Sequence, residues 1–395
     1  MIAYTKYRTD GRIRLEAESL VTWGYEVVFL IPKEEQEPKT YVLAGVTVKE
    51  LNVGKYKGKS KLRYVLSYVT FLALALVACT RLFLRSKIGV IHVHNMPDVL
   101  LFAAIIPRLL GCQLVLDLHD TVPETYEAKF GKISRVVQGL LRIEEKVCCA
   151  LAHRVICVNH VQREAVQRRG VPAEKISTVI TMPRYTSQSS SGAVRRDEKA
   201  FRMVNHGTMS KRLGNDLIME AATKLVHEIP GFELYFIGGG DNLEDMHSQC
   251  KILGLENHVH FIKGIPWNEL GEALSPMDVG IVANRVNVAT ELMLPSKLID
   301  YVVLGIPAVV PRLRAIEYYF SEEMVSYFEP ENVDSMVATT VALYRDKARR
   351  ERQVMAAKQF LYENPWDDRA TGLRGLYKEL FNSSVPGSQP VRIER

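Results

Sequence analysis

The sequence predicts an α/β protein made of two doubly wound domains of similar size, facing one another across a cleft. Three observations carry this. Short runs rich in Val, Ile and Leu alternate with longer stretches of helical spacing, the pattern of a parallel sheet covered on both faces. The chain has 395 residues, enough for about two domains. The alternation also breaks once, at 183–200, where "PRYTSQSSSGAVRRDEKA" offers serine, glycine and charge without a period, and then restarts. In such folds ligands bind at the carboxyl ends of the strands, and with two domains the natural site is the cleft between them.

The elements follow in order. "RIRLEAESLVTWG" (12–24) has helical spacing and stops at Gly24. "EVVFLIP" (26–32), "VIHVH" (90–94), "QLVLDLH" (113–119) and "RVICVN" (154–159) read as buried strands of an N-terminal domain, 1–185. Between Arg63 and Arg81 lie 17 uncharged residues, "YVLSYVTFLALALVACT". That is the short limit for a spanning helix, and Ser67, Tyr68 and Thr70 weaken it further. The run reads as a helix in the core or lying on a membrane face, where it makes peripheral contact. After a linker at 186–200, "FRMVNHG" (201–207), "ELYFIGG" (233–239), "VHFIKG" (259–264), "VGIVAN" (279–284) and "PAVVP" (307–311) are strands, and 215–229 is an amphipathic helix. These form a C-terminal domain, 201–365. A last helix at 366–381 crosses over, and the tail 382–395 reads as disordered.

Composition is globular, 47% hydrophobic and 24% charged. The net charge of +6 suits anionic ligands or anionic lipid. Nucleic acid is not indicated, because no Lys/Arg run has interleaved aromatics. Six scattered cysteines without C-x-x-C suggest neither zinc nor disulfides, and with no signal peptide at "MIAYTKYRTDGR" the expectation is a cytoplasmic protein. No Asp-x-Asp triplet and no H-E-x-x-H points to a catalytic metal, and no cofactor is expected.

Four stretches carry candidate chemistry. In "ELMLPSKLIDYVVLGIPAVV" (291–310), Pro295 and Ser296 start a helix whose free N–H groups and dipole attract an anion. Lys297 in the first turn opposes the dipole, so an anion accounts for it better than stability does. Asp300 and Glu291 can accept hydrogen bonds from sugar hydroxyls. A capped helix with a solvated face is the other reading. In "NHGTMSKRLGNDL" (205–217) a strand ends at Gly207, and Lys211 and Arg212 follow where such folds present cations to phosphate. In "LVLDLHDTVPE" (114–124), His119 stands at a strand end among Asp117, Asp120 and Glu124, placed for polar contact or proton transfer. In "IGGGDNLEDM", Gly238, Gly239 and Gly240 read as a tight turn where backbone approaches a ligand.

Taken in order, these stretches resemble the retaining glycosyltransferases of the GT-B type, family 4, also called glycosyl transferases group 1. The resemblance spans about 1–381. It rests on "YRTDGRIRLEAESLVTWGYEV", "VIHVHNMPDVLLFAA", "LVLDLHDTVPE", "HGTMSKRLGNDLIMEA", "ELYFIGGGDN", "VHFIKGIPWNELGEALSPMDVGIV" and above all 291–310. It implies two Rossmann-like domains and a metal-independent hexosyl- or N-acetylhexosaminyl-transferase. The expected donor is a UDP- or GDP-sugar, and the apolar 64–80 segment with the basic charge balance favours a glycan or lipid-linked glycan acceptor, as in surface polysaccharide assembly. Arg212, with Lys211, and Lys297 hold the diphosphate; backbone around Ile265 meets the base; Asp300 binds the ribose. Glu291 is the nearest candidate for the acid facing the sugar, and His119 stands by the reacting centre. The chain departs from the family pattern in four places. Asp300 replaces a Glu, the acid pair is one residue wider, Leu213 stands where many members have Lys, and "YTKYRTDGR" replaces a glycine-rich loop. An epimerase of the same architecture and a non-catalytic sugar-binding protein are the alternatives.

Overall fold

Asp10 starts the first helix, α1 (Gly11–Thr22), by accepting the Ile13 N–H through Oδ1 (3.5 Å), and Gly24 at φ +88° ends the turn after it. The computed structural model describes residues 1–33, 39–54, 56, 61–180, 200–363 and 366–384. The chain divides into two units, Met1–Thr181 with Trp366–Arg395, and Met182–Pro365.

In the N-terminal unit α1 is followed by β1 (Val28–Lys33), β2 (Thr40–Leu43) and β3 (Val46–Gly54). Then come α2 (Lys61–Arg85), β4 (Val90–His94), α3 (Ile105–Leu109), β5 (Gln113–Leu118), α4 (Val122–Phe130), α5 (Arg135–Leu151), β6 (Arg154–Cys157), α6 (His160–Arg168) and β7 (Ile176–Thr178). Parallel β4-β5-β6-β7 form one sheet, and parallel β1 and β3 with antiparallel β2 form another. Ile2 joins them by parallel bridges to Leu30 of β1 and Val93 of β4. The sequence reading missed the β2–β3 hairpin. Its two-residue turn is Ala44–Gly45, both at positive φ, and Ala is a poor signal for that geometry. In α2, Phe71, Ala75 and Cys79 are buried, one face at i, i+4, i+8. The helix runs past Arg81 to Arg85, because a charge on an exposed face does not end a helix.

The C-terminal unit holds β8 (Phe201–Thr208), α7 (Asn215–Glu228), β9 (Phe232–Gly239), α8 (Leu243–Ile252), β10 (Val259–Ile262), α9 (Trp267–Leu274) and β11 (Val279–Ile281). It continues through α10 (Ser296–Leu304), β12 (Ala308–Pro311), α11 (Arg314–Glu317), β13 (Ser326–Phe328), α12 (Val333–Arg345) and α13 (Lys347–Glu363). Its sheet is wholly parallel in the order β10-β9-β8-β11-β12-β13, a doubly wound arrangement. The core lies between sheet and helices, with Met203, Phe236 and Ile281 fully buried or nearly so.

The chain then returns to the N-terminal unit as α14 (Trp366–Ser384), which places Tyr377 Oη 2.8 Å from His92 Nδ1. Of the stretch read as a linker, 186–199 lies outside the described residues. So do 385–395 of the tail, whose first residues continue α14. All six cysteines are free and buried.

Candidate active site

In the C-terminal unit, β8 and β11 lie side by side where the winding reverses, the place where doubly wound sheets take ligands. Buried Asn205, near the carboxyl end of β8, spans the reversal: its Nδ2 donates to Ile281 O of β11 (2.8 Å). Its Oδ1 accepts from Lys297 Nζ (3.1 Å) and from Asn215 Nδ2 (3.2 Å). Asn215 Oδ1 accepts the Ser210 N–H (3.1 Å), which fixes the loop carrying Lys211 and Arg212. One amide therefore ties the start of α10, the start of α7 and the sheet together. Neither Asn205 nor Asn215 is singled out by sequence reasoning, because their roles come from strand order, which leaves no local signal.

Gly214 closes that loop at φ +69°, and a Cβ there would lie 1.9 Å from Ala283 O. Gly214→Ala is expected to cost more than about 1 kcal/mol and to displace the Lys211–Leu213 turn. Urea denaturation with nucleotide titration checks this; unchanged stability and binding would show that the loop tolerates a side chain. In the run Gly238–Gly240, a Cβ on Gly238 or Gly240 would lie 2.1 Å from Gly207 O or Met209 O, so these two glycines permit close approach of neighbouring backbone. Gly207 and Gly239 are the ones that border open space, with nothing within 4 Å of a Cβ.

Pro295 is the N-cap of α10 and Ser296 its first residue; among the described residues no side chain caps the helix or accepts from its first N–H groups. Gly305, at φ +70°, ends it, with the Ile306 N–H on Tyr301 O (2.8 Å). Burial pulls the Lys297 ammonium down to about 8 against the opposing pull of Asp300. Among the described residues it makes one hydrogen bond, to a neutral amide. Arg212 Nη1 is buried and has no hydrogen-bond partner among them. Lys211 is exposed, and Arg285 braces this loop: its N donates to Arg212 O and its Nε to Lys211 O (both 3.1 Å), while Nη2 lies 2.6 Å from Asp216 Oδ2. Asp300 Oδ2 lies 2.8 Å from His206 Nε2, a partner that the sequence reading did not foresee. Glu291 Oε2 accepts the Arg314 N–H at the start of α11 (3.0 Å). Ile265 is half-buried between β10 and α9, beside Gly264, whose Cβ position is 3.9 Å from Gly238 Cα.

In the N-terminal unit, the carboxyl ends of β4 and β5 hold a second cluster. Asp117, fully buried, takes Arg12 Nη2 at 2.6 Å on Oδ1; His94 Nδ1 (3.0 Å) and His119 Nε2 (3.2 Å) approach Oδ2. Burial pushes the Asp117 carboxyl up, but Arg12 and His119 outweigh it and hold it well below the usual range. Burial, then Asp117, raises Glu16; burial, then His92, lowers His94. His119 is anchored at its backbone by Asn95 Oδ1 (2.7 Å) and keeps 22% of its side chain exposed. With Nε2 turned to Asp117, Nδ1 is the nitrogen left for a ligand. Asp120 is held through its backbone by Asn95, whose Nδ2 donates to Asp120 O (2.6 Å). Of the three acids expected around His119, Asp117 lies against its ring, while Glu124 turns to Arg169 (2.6 Å).

Two family models match the chain: "Glycosyl transferase 4-like domain" over 12–180 and "Glycosyl transferases group 1" over 187–360. The chain belongs to the group 1 glycosyltransferases. It is a GT-B-type glycosyltransferase with Rossmann-like units. A GDP-mannose-dependent alpha-(1-6)-phosphatidylinositol monomannoside mannosyltransferase of Mycolicibacterium smegmatis is 28% identical over 167 residues, 41% of this chain and 43% of that protein. Among solved structures, sucrose-phosphate synthase from Thermosynechococcus elongatus has a TM-score of 0.76 at 17% identity, covering 94% of this chain and 93% of that one. Anabaena Alr3699/HepE in complex with UDP-glucose has a TM-score of 0.68 at 14% identity, covering 96% and 98%.

Among the described residues one group of side chains has the make-up of a metal centre: Glu16, His92, His94 and Asp117 bring ligand atoms within 4.8 Å of one another. The Arg12 guanidinium already lies among them, 3.2 Å from Glu16 and 2.6 Å from Asp117, and supplies the positive charge that the acids need.

Proposed function

We propose that this glycosyltransferase moves a sugar, with retention of configuration, from a nucleoside diphosphate sugar to a glycan or lipid-linked acceptor. The observation that carries the reading is the buried, under-bonded cation Lys297 beside the uncapped start of α10, with the buried Nη1 of Arg212 on the loop tied to the same amide. Both suit a diphosphate. The names of its relatives, GDP-mannose-dependent in one and a UDP-glucose complex in another, support that donor class.

The chemistry follows from the parts. The bond from the anomeric carbon to the diphosphate oxygen breaks, and negative charge builds on the leaving group. Lys297, Arg212 and the helix start stabilise it where it develops. The acceptor oxygen bonds to the same carbon on the same face, and its proton goes to the departing diphosphate. Asp300 accepts from a ribose hydroxyl, Glu291 serves the donor sugar, and backbone at Ile265 meets the base. Nδ1 of His119 assists at the sugar or acceptor.

A thermal-shift panel of UDP- and GDP-sugars tests the donor, since a ligand that binds the folded state stabilises it by an amount that grows with the logarithm of its concentration relative to Kd. NMR of the product's anomeric proton tests retention. No stabilisation by any nucleotide sugar would defeat the donor assignment, and an inverted product the mechanism. Asp300→Ala is expected to weaken nucleoside diphosphate about 10-fold or more while sparing inorganic pyrophosphate. Calorimetric titration decides, and equal losses for both ligands would remove Asp300 from the ribose.

A further inference from the structure

Three crossover helices of the N-terminal unit share one face. The connections β3→α2→β4, β4→α3→β5 and β5→α5→β6 step in one direction across parallel strands, so their common handedness puts the helices on the same side of the sheet. Both α2 and α5 also pack on the Asp98–Ala104 turn, which leads into α3.

That face is apolar to solvent. On α5, Val136, Leu140, Ile143 and Val147 are 72%, 61%, 60% and 42% exposed, at spacings that line one side of the helix. Its inward side is buried at Glu145, Cys148 and Cys149, so the outward stripe is a second apolar side, which a crossover helix does not need. Leu109 of α3 is 78% exposed and Leu84 of α2 is 68% exposed. Over Val65–Arg85 the helix is apolar and long enough to cross a membrane, and only 17% of its most apolar window is buried. It is nevertheless a crossover whose Phe71 and Ala75 pack inside the fold, so its exposed side lies along a surface instead of passing through one.

The charges are one-sided. Between Lys61 and Leu116 there are six basic residues and a single acid, Asp98, which is fully buried. Nearly all of the chain's net +6 therefore arises in this stretch. On α5 the exposed charges are Arg135, Arg142 and Lys146, while Glu144 is half-buried and Glu145 is buried.

We infer that α2, α3 and α5 together form a docking face for a bilayer carrying anionic headgroups, with the apolar stripe at the acyl boundary and the basic residues among the phosphates. An apolar side bordered by Lys and Arg is what an interfacial helix requires. A second copy of the chain fits less well. Two-fold pairing of this face would set Arg135, Arg142 and Lys146 against their own copies with no exposed acid on α5 to offset them. The inference stands apart from the transferase reaction, because it concerns binding alone.

The test is co-sedimentation of the full chain with vesicles of phosphatidylcholine, with and without phosphatidylglycerol. The chain is expected to bind the mixed vesicles, to bind phosphatidylcholine alone weakly, and to come off partly in high salt. L140D/I143D and, separately, R142E/K146E are expected to lower binding at least about tenfold. Their thermal midpoints and nucleoside diphosphate affinity should not change, since the substituted side chains are exposed. Failure of the wild type to sediment with the mixed vesicles overturns the inference. So does undiminished binding by the charge-reversed variant, or a dimer in ultracentrifugation that L140D/I143D splits.

Discussion

Replacing Lys297 with methionine is expected to weaken nucleoside diphosphate about 10- to 150-fold, the value of a charge-assisted contact of about 1.5–3 kcal/mol, and yet to raise the thermal midpoint. The two effects have one cause. The ammonium is buried against a neutral amide oxygen, and burial lowers its proton affinity to about 8 from the ordinary 10.5. The folded state thus holds this proton less well than the unfolded chain does. The cost to stability is fully present below about pH 8 and fades as pH rises towards 10.5. A methionine of similar length removes the cost, and Asn205 Oδ1 keeps its bond from Asn215. An anion beside Lys297 restores the proton, so the wild type should take up a fraction of a proton on binding between about pH 8 and 9, and affinity should fall as pH rises through this window. Calorimetry in buffers of different ionisation enthalpy measures the uptake. A variant that binds normally, or one that is less stable at pH 7, would mean that Lys297 supports the fold and no ligand.

Asp117→Asn should have the largest effect on stability, a loss of about 3–5 kcal/mol, because it strips Arg12, whose side chain is only 15% exposed, of its nearest carboxylate. Glu16 limits the damage. Burial and Asp117 keep its carboxyl raised in the wild type, so losing the second negative charge lets Glu16 ionise beside Arg12. Asp117→Asn with Glu16→Gln should therefore lose more than the two single losses combined, as denaturation midpoints would show. The pH dependence has a definite sign. The Asp117 carboxyl is held well below its ordinary value, so its contribution is present above the usual carboxylate range and is lost only as pH falls through the depressed value. Turnover should fall too, since His119 loses the acceptor that orients Nε2, while nucleoside diphosphate binding is spared. If the single variant keeps full stability and turnover, the cluster neither holds Arg12 nor positions His119.

The sequence was legible wherever a residue broke a local rule. Lys297 stands out because its charge opposes the dipole of α10, and the helix itself is bracketed by Pro295 and Gly305. The strands of the C-terminal unit were readable because a wholly parallel sheet needs continuous apolar runs. What escaped depends on partners far along the chain. Asn205 matters through Ile281, 76 residues away, and His206 through Asp300, 94 residues away. Glu124 looks like a neighbour of His119 in sequence, but the helix it opens faces Arg169. The outward stripe on α5 has the spacing of an ordinary core-facing helix, and only the fold reveals which side meets the sheet.

The return of the chain in α14 has a bearing on how the protein comes off the ribosome. Tyr377 meets His92 across 285 residues, and the whole C-terminal unit is synthesised between them. The unit that emerges first is thus the last to be completed. Until α14 emerges, its sheet must wait with His92 lacking Tyr377 and with the faces that Leu373 and Leu380 later cover still open. The second unit, local in sequence, can fold meanwhile. Truncation before Trp366 would leave the nascent first half in that unfinished state, a natural substrate for chaperones.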